Sequence, residues 1–300
     1  MAAASRGFSP RAAVWSLRVS WPLWAVLTAV AAADRLDDAG GTAASIVGWG
    51  VVAVGVVALV VPSTAGLTAM RIVAPAALPL AALVVAIEPS AIAAAALAMG
   101  AVTAVVALSA ETGQGFVQAS AYGDERRHLL RAPAAVLPFV VLAWSIWCTA
   151  VIISVVMLAG EAWGWAVATG GVAAALTVLL ARRFHTLSRR WLVALPAGIV
   201  VHDGMVLGET LMVQRHNVAS TQLALADTEA LDLTGPAAGH AIEVVVRQAV
   251  LVQLIGTRAE PKGRAIHAQS FLVAPSRPGL ALASLQPATP PPRTNSSAVS

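Results

Sequence analysis

The groups in this 300-residue chain that could hold a metal or move a proton are six histidines, one cysteine and fifteen acidic residues. None of His128, His185, His202, His216, His240 and His267 stands four residues from another, so no H-E-x-x-H helix is present. The single cysteine, Cys148, allows neither a CxxC ligand pair nor an intrachain disulfide, and its apolar surroundings predict a buried, inert thiol. His202-Asp203 and His216 could meet across neighbouring strands as a metal or acid–base site; a surface pair in a hairpin is the simpler reading. Glu111, Asp124 and His128 are the other titratable groups close enough in sequence to converge, at the rim of an apolar run. G-x-S-x-G, Walker A and G-x-G-x-x-G patterns are absent. The residues therefore assign no catalytic, cofactor or metal role and favour a protein that is not an enzyme.

The elements that must position these groups are mostly apolar helices. Hydrophobic residues make up 58% of the chain and charged ones 11%, against about a quarter charged in an ordinary globular domain. Six apolar runs, 19–33, 44–61, 72–87, 90–110, 134–159 and 162–181, predict a six-helix transmembrane domain over 19–181. The third run is short and carries Pro75 and Pro79, tolerable in a span only if neighbours supply the lost hydrogen bonds. The basic start and Ala31-Ala32-Ala33 end of the first run mimic a signal peptide, yet five further runs favour an uncleaved helix. No Asp, Glu, Lys, Arg or His lies inside any run, which argues against a proton-coupled transporter.

Charge sets the orientation. With six spans, the N-terminal segment 1–18, the link around Arg71, the 111–133 loop and the segment after Ala181 share one side, carrying eleven arginines. The opposite side carries Arg35 among several acids, so both termini are expected in the cytoplasm, at the cell membrane. Arg182, Arg183, Arg189 and Arg190 are read as the arginines marking the exit from the bilayer. The net charge is only +4 and its arginines flank apolar runs, which excludes a nucleic-acid surface. Trp49, Trp163 and Trp165 are placed at the outer interface, and Gly48, Gly50 and Gly55 at close helix contacts.

Residues 111–133 form a long cytoplasmic loop with Tyr122, Asp124, Glu125, Arg126 and Arg127 in a mixed-charge cluster. The loop is either a docking surface, for the C-terminal domain or another protein, or a solvated turn that fixes orientation. Past Arg190 the pattern changes to the two-residue alternation of half-buried strands, as in Leu231-Asp232-Leu233 and Ile242-Glu243-Val244. Strands are predicted at 191–195, 199–202, 210–214, 218–223, 250–255 and 266–273, with a closing helix at 278–286 capped by Ser276. The 287–300 tail is rich in Pro and Ser, with too little apolar surface to fold.

The segment Ala107–Pro133, with Tyr122-Gly123-Asp124-Glu125-Arg126-Arg127, resembles a family of uncharacterised actinobacterial integral membrane proteins. So does the segment from Arg189, through Arg190-Trp191-Leu192-Val193, Val201-His202-Asp203 and Ser276-Arg277-Pro278-Gly279. The likeness covers most of the chain and implies no activity. Residues 189–286, a small barrel or sandwich of short strands closed by one helix, resemble bacterial pleckstrin-homology-like (PH-like) domains. From 191 onward seven basic residues face seven acidic ones, too balanced for a strong anionic-lipid surface, and Arg258, Lys262 and Arg264 make only a small cluster.

The leading expectation is thus a non-enzymatic membrane scaffold or regulator with a β-rich cytoplasmic domain, its partners the lipid bilayer and a protein engaging 111–133 and 189–286. A transporter or channel would need a polar path built from Thr103, Ser109, Ser145, Thr149 or Ser154. A membrane enzyme would need Glu111, Asp124 and His128 to converge. No cofactor is expected, and the oligomeric state is open.

Overall fold

The computed structural model describes residues 9–35, 38–256, 261 and 263–286. Arg6, Arg258, Lys262 and the 287–300 tail lie outside the described residues. Six helical stretches are long and apolar enough to cross a membrane, and a small sheet-rich region follows them. They are α1 (Pro10–Ala31), α2 (Ala39–Val60), α3 (Thr64–Val73) continued by α4 (Ala77–Ile87), α5 (Ala91–Leu108), α7 (Leu137–Ala159) and α8 (Trp163–Ser188).

Most of the helix starts are set by caps and not by where the apolar runs begin. Ser9, Asp38, Ser63 and Ser90 each accept a backbone N–H with their side chain, which is worth about 1 kcal/mol per helix. The third apolar helical stretch consequently begins at Thr64, not at residue 72, and Arg71 lies inside a helix instead of in a link. Thr68 Oγ1 meets His185 Nδ1 at 3.2 Å, so this turn is level with the last turns of α8, beyond Arg182 and Arg183. Pro75 has no N–H for the carbonyl of Arg71, and a 3-10 turn spans Ala74–Ala76. Trp144 Nε1 on α7 donates to the adjacent Ile72 carbonyl at 2.9 Å, the kind of rescue this proline needs.

Small residues bring the helices together: Ala25, Ala58, Ala77, Ala81, Ala96 and Ala107 are buried around Trp21, Leu67 and Met70. A Cβ at Gly55 would sit 2.4 Å from Trp21 Nε1, which donates to Val52 O at 3.0 Å. Gly48 and Gly50 face open space, so of the three expected contact glycines only Gly55 permits a close approach. Trp163 and Trp165 open α8, whereas Trp49 lies near the middle of α2, because the Asp38 cap starts that helix well before the apolar run.

The expected 111–133 loop is structured. Its first part is α6 (Ala110–Ala119), capped by Ser109, and its second part is β1 (Arg126–Leu129). β1 pairs antiparallel with β2 (Trp191–Leu195), which pairs with β3 (Gly198–His202) and then β4 (Leu211–Gln214). The second sheet has the order β5 (Val218–Leu223), β7 (Ile242–Leu254), β8 (Arg264–Val273), β6 (Leu231–Asp232), with β6 parallel to β8. The strands expected separately at 242–244 and 250–255 are one strand with a bulge between Val245 and Val250. Inward residues of both sheets, among them Leu192, Ile199, Val201, Val244 and Phe271, form one core closed by Ala281 and Leu285 of α9 (Pro278–Leu285). Arg277 occupies the cap position of α9 but makes no side-chain capping bond, and the hydroxyl of Ser276, the expected cap, is buried without a partner.

Candidate functional site

The chemically richest place in the molecule is the seam where α3, α6 and α8 meet the sheets. α6 has two working faces. Glu111, Gln114 and Gln118, spaced three and four apart, point at the sheet region. Glu111 pairs with Arg277, Gln114 Nε2 donates to Arg127 O at 2.6 Å, and Gln118 Nε2 donates to Glu125 O at 3.0 Å. Arg127 N returns a bond to Gln118 Oε1 at 2.9 Å, so the helix holds β1 by its backbone. The other face of α6 packs on the bundle: Phe116 lies against Gly66, and Gly115 against Pro10 and Val14.

β1 is tied on both sides. Leu130 N donates to Arg190 O at 2.9 Å, Arg131 N to Ala274 O at 2.8 Å, and Ser276 N to Leu129 O at 2.7 Å. His128 is buried and its Nε2 lies 2.7 Å from Ser284 Oγ of α9, while Nδ1 has no partner. Burial, with help from Arg126, pushes the His128 pKa down to about 4, so the ring is neutral. Burial likewise lowers the pKa of Arg131, whose guanidinium donates to His240 O.

Arg190 departs most from its expected role. It is fully buried, its Nε and Nη2 gripping both oxygens of Asp203 at 2.8 and 2.7 Å. Nη1 reaches Arg131 O at 2.6 Å and Nη2 also reaches Thr234 O at 3.1 Å. The residue is therefore an internal bolt of the sheet region and not a boundary charge. Arg182, Arg183 and Arg189 are exposed around the end of α8, as boundary residues would be. A second array lies on the face of the first sheet turned away from the sheet core, where Trp191 packs against the bundle. Arg127 stands 5.6 Å over Trp191, and Trp191 stacks on His202 at 5.0 Å. His202 Nδ1 meets Thr210 Oγ1 at 3.0 Å; burial, then Arg189, lowers the His202 pKa while Asp203 opposes them.

Of the mixed-charge cluster, Tyr122 and Asp124 sit exposed at the turn before β1, where Gly123 takes a φ of +59°. Glu125 pairs with Arg127 at 2.8 Å, and that hydrogen bond is the main reason its pKa is lowered; Arg126 is exposed. The other proposed convergences do not form. Asp203 is committed to Arg190, and the β3–β4 register puts His216 at the opposite end of the hairpin from His202. Glu111, Asp124 and His128 each face a different way, towards Arg277, solvent and Ser284. Ser145 and Thr149 are exposed on α7, Ser154 bonds Ala166 O, Ser109 caps α6, and Thr103 is wholly buried between helices. Those five hydroxyls line no common path. No cluster of three metal-type ligands occurs among the described residues.

β1 escaped the sequence because Arg126-Arg127-His128 carries no apolar alternation and its partner, β2, lies far along the chain. α6 had a usable signal in Ser109 followed by Glu111 in the first turn, weakened by Gly113 and Gly115. The chain is thus a bundle of six apolar helical stretches whose α5–α7 connector is built into a small sheet-rich region. No protein-family model matches it, and neither does any curated protein or solved structure.

Proposed function

We propose that the protein is a multi-pass protein of the cell membrane in which the sheet region, a PH-like module on the cytoplasmic side, acts as a non-enzymatic scaffold or regulator locked to the bundle. The observation that carries this reading is the connector: α6 packs on the bundle while the next strand, β1, is an edge of the first sheet. A displacement of helices would move the sheets as well, which suits a protein that reports the state of one to partners of the other.

Membrane residence is supported by the bundle's outside. Val105, Phe139 and Val167 are each more than 70% exposed, and fully burying such a side chain is worth about 1.5–3 kcal/mol, so water is a poor solvent for this surface. Orientation is supported by the arginines gathered at one end, where Arg18 Nη2 caps the Leu59 carbonyl at 3.0 Å and Arg182 and Arg183 ring α8. The exposed Tyr122–Asp124 turn offers a protein partner aromatic and charged contacts beside the membrane.

Cysteine accessibility tests the layout. With Cys148→Ala as background, a cysteine at exposed Gly164, in the first turn of α8, and one at exposed Gln222, on β5, are expected to label from opposite sides of sealed vesicles. Labelling of both from the same side would overturn it.

A further inference from the structure

Arg71 is the charged group at the seam that the proposed role leaves unused. It is half-buried on α3, and its guanidinium has no hydrogen-bond or ion-pair partner among the described residues. Four other arginines have partners, Arg190 in Asp203, Arg277 in Glu111, Arg127 in Glu125 and Arg18 in Leu59 O, and Arg131 donates to His240 O although its Nε has none. Its Nη2 lies against the bare backbone of Gly113, 2.7 Å from where a Cβ would stand, next to Leu129. A side chain on that turn of α6 would push the guanidinium away.

We propose that Arg71 binds a phosphate group at the arginine-bearing end of the bundle. A partly desolvated cation with no counter-charge is unstable until an anion completes it. The planar guanidinium fork matches two phosphate oxygens, and such charge-assisted pairs are among the stronger hydrogen bonds. No acid competes nearby: α3 carries none, and Glu111 on the facing helix is committed to Arg277. The Thr68–His185 contact sets Arg71 near the level of the exposed Arg182 and Arg183 on α8, which adds to the positive field. With the bundle in a membrane, as proposed above, this is the level of lipid headgroups, so the phosphate comes either from an anionic phospholipid or from free inorganic phosphate.

The test uses the full chain in detergent, as wild type, Arg71→Met and Arg71→Gln, with Arg247→Met, on the exposed side of β7, as a control. Native mass spectrometry counts retained phosphatidylglycerol against phosphatidylcholine, and thermal unfolding is followed with inorganic phosphate or chloride at matched ionic strength. Wild type and Arg247→Met should hold one more phosphatidylglycerol than the Arg71 variants, with roughly tenfold tighter binding and no difference for phosphatidylcholine. Equal lipid retention, with phosphate but not chloride stabilising wild type and not the Arg71 variants, would keep the site and assign it to free phosphate. Equal retention together with equal phosphate response would overturn it. Should neither Arg71 variant fold, wild type alone decides: phosphate displacing the lipid where chloride does not supports the site, and equal displacement contradicts it. The phosphate arm needs no bilayer, so its result stands apart from that of the topology experiment.

Discussion

Two buried side chains at the seam carry opposite electrostatic duties. His128 is kept neutral, with a pKa of about 4 in the folded chain against about 6.5 when unfolded. Below about pH 6.5 the unfolded chain therefore takes up a proton that the folded chain refuses, and stability falls with pH until about 4. The full loss is at most about 3 kcal/mol. Thermal unfolding in detergent between pH 7.5 and 4 should show a steeper decline for wild type than for His128→Gln; identical slopes would mean the ring is not enclosed. Arg190 is charged and relies on Asp203. Arg190→Met leaves that carboxylate buried and alone, which should cost about 3–5 kcal/mol, and adding Asp203→Asn should recover part of it. Denaturation of the two variants gives the comparison. Neither duty was legible from residue types: Arg190 reads as one more arginine of the exit cluster until its contact with Asp203, 13 residues away, is seen.

At the scale of elements, local signals were readable wherever they sufficed. Apolar length gave six helical stretches long enough to cross a membrane, and alternation gave β2, β3 and β5 almost to the residue. What escaped depends on distant partners or on caps: β1 is a strand because β2 and α6 hold its backbone, and α3 reaches back to Thr64 because Ser63 accepts Gly66 N at 3.0 Å. The grip of α6 on β1 can be measured. Gln118→Ala removes the acceptor of the Arg127 amide, and hydrogen exchange should speed there while Val244, deep in the second sheet, is unchanged. Unchanged exchange at Arg127 would show that α6 does not hold the strand.

For the whole molecule, the decisive feature is that the chain crosses between its two parts three times, from α6 into β1, from β1 back into α7 and from α8 directly into β2. Residues 189–286 expressed alone would lack β1 and expose the edge of β2, so a study of that fragment would examine an incomplete sheet. Coupling between bundle and sheets rests on the first crossing. Arg127 and Val193 are direct cross-strand partners, and antiparallel partners have Cα atoms about 4.5–5.5 Å apart, within disulfide range. In the full chain in membranes, with Cys148→Ala, cysteines at these two positions should cross-link under mild oxidation as readily as a control pair at Gln222 and Glu243, partners in the second sheet. A control pair that cross-links while the 127–193 pair does not would contradict the claim that the connector is a strand of the sheet.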